Sequence, residues 1–153
     1  MDRGAEEVLS DAHVLEYPYS RSLGPVLGAF FTGLRDGVIL AGRSPSGTVI
    51  VPPTEYDPQT SEPVDELVEV GPQGRVETWA WVARPLPQHP LAAPFAWALI
   101  TPEGASTSML HVVDAGSPEV MRHGLAVVAD WVPADERVGR IQDIRAFVPA
   151  EDR

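Results

Sequence analysis

The chain has 153 residues, enough for one domain, with Lys+Arg 11 against Asp+Glu 22, a net charge of -11 and no cysteine. That composition excludes disulfides and thiolate chemistry and, because all 11 basic residues are Arg, lysine Schiff bases and a Walker-type phosphate lysine as well. The acidic balance opposes a phosphate backbone, and no stretch approaches the roughly 20 apolar residues that span a bilayer, so a soluble cytoplasmic protein with neither nucleic acid nor membrane as partner is expected.

Residues 1–20 carry no periodic pattern and read as a flexible arm. From Leu23 onward, Leu23, Val26, Leu27, Phe30, Phe31 and Leu34 follow the spacing of one helical face. Ser22 is placed to cap this helix, Pro25 suits its first turn, and Gly37 suits a left-handed stop. The apolar runs Val38-Ile39-Leu40-Ala41 and Thr48-Val49-Ile50-Val51 flank Gly42-Arg43-Ser44-Pro45-Ser46-Gly47 and predict a hairpin. Pro52-Pro53 ends it, and a turn-rich stretch through Pro63 completes a small knob over 38–66.

The remainder alternates strands with Gly- and Pro-rich breakers, the strands falling at 66–70, 75–83, 95–101, 107–113, 125–132 and 141–148. Strands that follow one another without crossover helices cannot form a parallel sheet. Five of them in about 75 residues suit a small closed barrel of OB type. The predicted fold is therefore mainly β: an arm over 1–20, a helix plus knob over 21–66, and a five-stranded antiparallel OB-type barrel over 67–150.

The order of helix, hairpin, proline pair, second turn and barrel resembles a family of OB-fold proteins, long catalogued as a domain of unknown function, that carries a rubredoxin-like zinc ribbon ahead of the barrel. Counted outward from Pro52-Pro53, the family's four cysteine positions fall on Arg43, Ser46, Asp57 and Thr60, so every metal ligand is replaced. Further matches are Phe30-Phe31 to Gly37, the run from Val70 to Val76, the run from Pro94 to Ile100, and Phe147-Val148-Pro149, which extends the resemblance over roughly residues 20–150. It implies a noncatalytic subunit, part of a hetero-oligomer with a thiolase-like or hydratase enzyme, that helps to hold an acyl-CoA in lipid, steroid or polyketide metabolism. No cofactor and no metal are expected.

Several residues are candidates for those contacts. Strict alternation over 75–83 places Val76, Thr78, Ala80 and Val82 on one face and Arg75, Glu77, Trp79 and Trp81 on the other. Trp79 and Trp81 then offer a platform for a partner or an adenine ring, with barrel core as the alternative. Trp97 and Trp131 read as core or rim. The stiff connection from Arg84 to Pro94 falls where OB folds line their ligand face, so Arg84 and His89 are candidates for a CoA phosphate and Phe95 for a neighbouring contact. A plain solvent loop is the alternative. Phe30 and Phe31 belong to the helical core face, beside which an acyl chain fits only if a groove remains, and helix plus knob forms a second candidate docking face.

Other constellations carry less. The four histidines show no ligand spacing, His111 reads as structural, and no G-x-S-x-G elbow is present. Asp57, with Glu55 or Glu62 nearby, reads as a solvated turn carboxylate. An OB-fold nucleic-acid binder is the rival reading, opposed by the charge. A small hydrolase or hydratase acting through Glu77, His111 or Asp130 is a third.

Overall fold

In the computed structural model, residues 11–20 and 22–150 are described. Residues 11–20 of the expected arm form neither helix nor strand and are exposed, while residues 1–10 lie outside the described residues. The expected helix forms as α1, Gly24–Asp36, with Pro25 in its first turn. Leu23, one residue later than expected, sits at the cap position, and Ser22 Oγ accepts the Gly24 N–H at 3.2 Å. Gly37 closes the helix at φ 81°, its N–H donating to Leu34 O at 3.1 Å while Val38 N–H donates to Gly33 O at 2.8 Å, a left-handed stop that spares the last carbonyls.

The hairpin forms as β1, Ile39–Arg43, and β2, Val49–Ile50. The next strand, β3, Glu66–Val70, falls almost wholly within the 67–150 range expected for the barrel, but it pairs instead with the other edge of β1 in register from Ile39↔Val70 to Arg43↔Glu66, which moves the knob's end to Val70. Pairing there satisfies the open ladder of β1, and Gly71 at φ 67° then turns the chain away toward the barrel. The knob is thus a three-stranded sheet in the order β2-β1-β3.

The barrel strands are β4, Gln73–Val82; β5, Phe95–Pro102; β6, Met109–Val113; β7, Ala126–Trp131; and β8, Ile144–Pro149. They close in the order β4-β5-β6-β8-β7. A ring with an odd number of strands cannot alternate direction throughout, so one pair must be parallel. Here it is β6 with β8, joined by the single bridge Val113↔Phe147. The expected start of the last strand is instead a 3₁₀ turn over Ile141–Asp143. Among the described residues no helix is long and apolar enough to cross a membrane.

Helix, knob and barrel share one hydrophobic cluster. Phe30 and Leu34 of α1 and Ile39, Val49 and Val70 of the knob sheet join Val76, Ile100, Met109, Val127 and Phe147 of the barrel. Four side-chain and backbone hydrogen bonds also tie β2 and the residue after it to the β5–β6 turn: Ser106 N–H to Val49 O (2.7 Å), Val49 N–H to Ser106 Oγ (3.0 Å), Val51 N–H to Thr107 Oγ1 (2.8 Å) and Thr107 O–H to Val51 O (3.1 Å). No buried side-chain nitrogen or oxygen among the described residues lacks a partner.

Candidate functional site

The barrel strand β5 alternates as its sequence dictates. Ala96, Ala98 and Ile100 enter the main core, and Phe95, Trp97 and Leu99 take the outer face. An outer face bearing two large aromatics needs cover, and the 83–94 connection supplies it. Phe95 (0% exposed), Val112 and Ala146 form a second buried cluster with Val82, Leu91 and Trp97 packed against it. His89 meets Phe95 edge-on at 5.6 Å, and Phe95 meets Trp97 edge-on at 5.5 Å. Within the connection, Leu86 N–H donates to His89 Nδ1 at 3.0 Å and His89 N–H to Leu86 O at 2.9 Å, which sets the imidazole against the sheet.

Between this cover and the barrel lies a cleft of 330 Å³. The connection contributes Gln88, His89 and Pro90; β5 and β6 contribute Trp97, Leu110, His111 and Val112; and the segment entering β8 contributes Ile141, Gln142, Ile144 and Arg145. Burial holds the His111 imidazolium disfavoured and its pKa below the usual histidine value, against hydrogen bonds to the Ile141 and Val112 backbone that act in the other direction. Val112 N–H donates to Nδ1 at 2.9 Å, so the proton sits on Nε2, 3.3 Å from Ile141 O. Both ring nitrogens serve the backbone, as the structural reading of His111 requires. Arg145 Nε donates to Asp130 Oδ2 at 2.7 Å, and its Nη1 lies 3.7 Å from Asp114, so the cation on the cleft rim is already paired.

One wall of the cleft depends on Asp143, which sequence reasoning passed over. Its carboxylate, 0% exposed, accepts N–H groups from Val138 (3.2 Å), Gly139 (2.7 Å) and Arg140 (3.1 Å) and so ties the 138–143 turn to the start of β8. Burial raises its pKa, but those backbone donors and the nearby Arg140 charge outweigh burial and leave it below the usual aspartate value.

The structure brings some of the expected residues together and separates others. His89 and Phe95 belong to the cleft region, Phe95 as a buried support beneath it, while Arg84 is exposed on the connection. Trp79 and Trp81 are half-buried against the main core. The strict alternation expected for this strand fails at a β-bulge between Val76 and Thr78, which inserts one residue and flips every later side chain. Val76 therefore shares the interior with Trp79 and Trp81, and Thr78 and Ala80 are exposed. Phe30 is buried in the main core and Phe31, 5.3 Å from it edge-on, is half-buried at its margin. Near them an open groove of 670 Å³ runs between Leu23 and Leu27 of the helix start and Pro52-Pro53-Thr54-Glu55.

Glu77, His111 and Asp130 do not converge. Glu77 lines a different cavity from His111 and accepts the Thr101 hydroxyl at 3.1 Å, and Asp130 is held by Arg145. At the four positions where the zinc ribbon's ligands would stand, Arg43 reaches outward to Glu66, Nε to Oε1 3.4 Å, and Asp57 is buried at 3% exposure rather than solvated. A guanidinium and two hydroxyls do not ligate zinc, which takes thiolate, imidazole or carboxylate, so this donor set does not fit the metal. Among the described residues no group of three or more His, Asp or Glu side chains is arranged for a metal ion.

These features define the class: an OB-type barrel carrying an N-terminal helix and a small appended sheet. No protein-family model matches the chain, and no curated protein matches it significantly. Among solved structures it is similar to a DUF35 family protein of unknown function from Sulfolobus solfataricus, with TM-score 0.57 and 21% identity over 69% of this chain and 78% of that one. It is similar also to a chain of the Ltp2-ChsH2(DUF35) aldolase, with TM-score 0.58 and 21% identity over 79% of this chain and 91% of that one. The chain has the fold of these DUF35 structures.

Proposed function

We propose that this protein is a noncatalytic accessory subunit that binds a cytoplasmic thiolase-like or hydratase enzyme and helps to hold an acyl-CoA. The observation that carries the reading is the agreement of its fold, over 91% of the matched chain, with a chain of the Ltp2-ChsH2(DUF35) aldolase. The local chemistry supports it. His111, Asp130 and Asp143 each serve a structural partner rather than a reacting group. Apolar surface stands ready for contact instead, with Leu110 at 60% exposure on the cleft rim and Leu23 at 51% beside the proline groove. Arg84, exposed on the connection, carries a guanidinium that suits a CoA phosphate.

Purification of the full tagged chain from its native host, through gel filtration and into mass spectrometry, tests the proposal. Stoichiometric co-elution with a CoA-thioester enzyme is expected, and acyl-CoA binds more tightly to the complex than to either chain alone by calorimetry. Elution as a lone monomer, with no such enzyme retained, overturns it.

A further inference from the structure

We infer that a hydrogen-bonded centre on Asp57 closes the knob and takes the place a metal ion would hold in a ribbon of this shape. The carboxylate bridges two turns. Its Oδ1 accepts the N–H groups of Gln59 at 2.7 Å and Thr60 at 3.3 Å, which shapes the second turn from within. Its Oδ2 accepts the hydroxyl of Ser46 at 3.4 Å, which belongs to the first turn. Ser46 Oγ in turn lies 2.7 Å from Ser44 Oγ and 3.2 Å from Thr48 Oγ1, so three hydroxyls relay the carboxylate's hold across the hairpin. The backbone bonds Ser44 N–H to Thr48 O (2.9 Å), Asp57 N–H to Glu62 O (2.9 Å) and Ser61 N–H to Asp57 O (2.8 Å) complete both turns.

A zinc ion in a small ribbon supplies the closing energy that so little apolar surface cannot. Here other contacts replace it. Val49, Val51 and Val64 are buried, β2 and the residue after it are pinned to the barrel through Ser106 and Thr107, and the knob's apolar face is continuous with the barrel core. A buried carboxylate is costly to leave without donors, and the short bond from Gln59 N–H, with the longer ones from Thr60 N–H and the Ser46 hydroxyl, makes Asp57 the group on which the closure turns.

The full chain, expressed in zinc-supplemented medium, is assayed for zinc by plasma mass spectrometry and melted with and without EDTA. The expected result is far less than one zinc per chain and superimposable melts. Asp57→Ala lowers Tm by about 5 °C and Asp57→Asn, which keeps a carbonyl acceptor, by less. One zinc per chain with a melt that EDTA depresses overturns the inference, as does an Asp57→Ala melt that coincides with wild type. Should Asp57→Ala fail to fold, amide exchange in the wild-type chain under EDTA decides: protection at Gln59 and Thr60 supports the carboxylate-held turn, and free exchange there overturns it.

Discussion

Asp143→Ala is the substitution whose cost the structure fixes most directly. The wild-type carboxylate satisfies three backbone donors, those of Val138, Gly139 and Arg140, from a position with no solvent access. Hydrogen bonds to a charged acceptor contribute about 1.5–3 kcal/mol each, but Val138 and Arg140 are exposed residues whose amides recover water once the carboxylate is gone. Taking about 1 kcal/mol per donor gives a loss of about 3 kcal/mol, or about 6–12 °C in Tm for a chain of this size. Asp143→Asn keeps one acceptor and turns an amide group toward the remaining donors, so its loss falls between wild type and the Ala variant. The native carboxylate's pKa is lowered, so the unfolded state binds the proton first as the solution is acidified. The contribution is then complete above the unfolded value of about 3.9 and disappears as pH falls through the lower native value. Urea unfolding of wild type and both variants from pH 7 downward measures this as a shift in midpoint at constant slope. An Ala variant within about 0.5 kcal/mol of wild type would refute the reasoning, and so would a wild-type advantage that grows on acidification.

The buried neutral His111 makes a pH-dependent prediction of similar sign. Its native pKa is lowered, so the unfolded chain takes up its proton first and stability declines as pH falls below about 6.5; urea midpoints between pH 5 and 8 show that limb in wild type and lose it in His111→Phe. Gly28→Ala meets nothing within 4 Å on the helix surface and stabilises by about 0.5–1 kcal/mol. Gly74→Ala brings a methyl to 2.8 Å from Thr101 O and 3.0 Å from Ile100 Cγ2 and destabilises by about 1–3 kcal/mol, both read by thermal unfolding. Leu110→Glu, on the exposed cleft rim, leaves Tm within about 2 °C of wild type but abolishes co-elution with the partner enzyme. Co-elution that survives it, and is lost in Leu23→Glu, places the docking face at the proline groove instead.

Local patterns carried the elements and failed where one residue or one distant partner decided the outcome. The apolar spacing from Leu23 to Leu34 and the glycine after Asp36 specify α1 within a turn, because both signals lie inside the element they describe. The identity of β3's partner does not lie inside β3. Glu66–Val70 reads as a strand in either setting, and only the unpaired edge of β1 assigns it to the knob. The bulge after Val76 is equally silent, since Arg75 to Val82 alternates plausibly without it and a single inserted residue exchanges the two faces. Asp57 reads as a solvated carboxylate until Ser44 and Ser46 stand opposite it, 11 residues away for Ser46. Of the cleft, only the adjacency of His89 and Phe95 was legible; the period-two step from Phe95 to Trp97 carried the signal that would have added Trp97.

The position of the cleft follows from how the barrel closes. Five strands force one parallel neighbour pair, and β6 and β8 meet at the single bridge Val113↔Phe147, whereas β4 and β5 pair from Gly74↔Pro102 to Val82↔Phe95. Along the rest of that seam the backbone groups need partners other than a ladder. His111 bonds to Ile141 O on one side, and Asp143 gathers the amides of 138–140 on the other. The gap those groups border is where Leu110, His111, Ile144 and Arg145 face the connection that carries His89. Because the same closure that completes the hydrophobic core also opens this seam, a ligand or partner seated there would contact side chains whose positions the core already fixes, and the 83–94 connection, packed on Phe95 through His89 and Leu91 and stiffened by proline, leaves little further ordering to pay for. The seam's residues come from three strands and two connections far apart in the chain, which is why no local motif announces them.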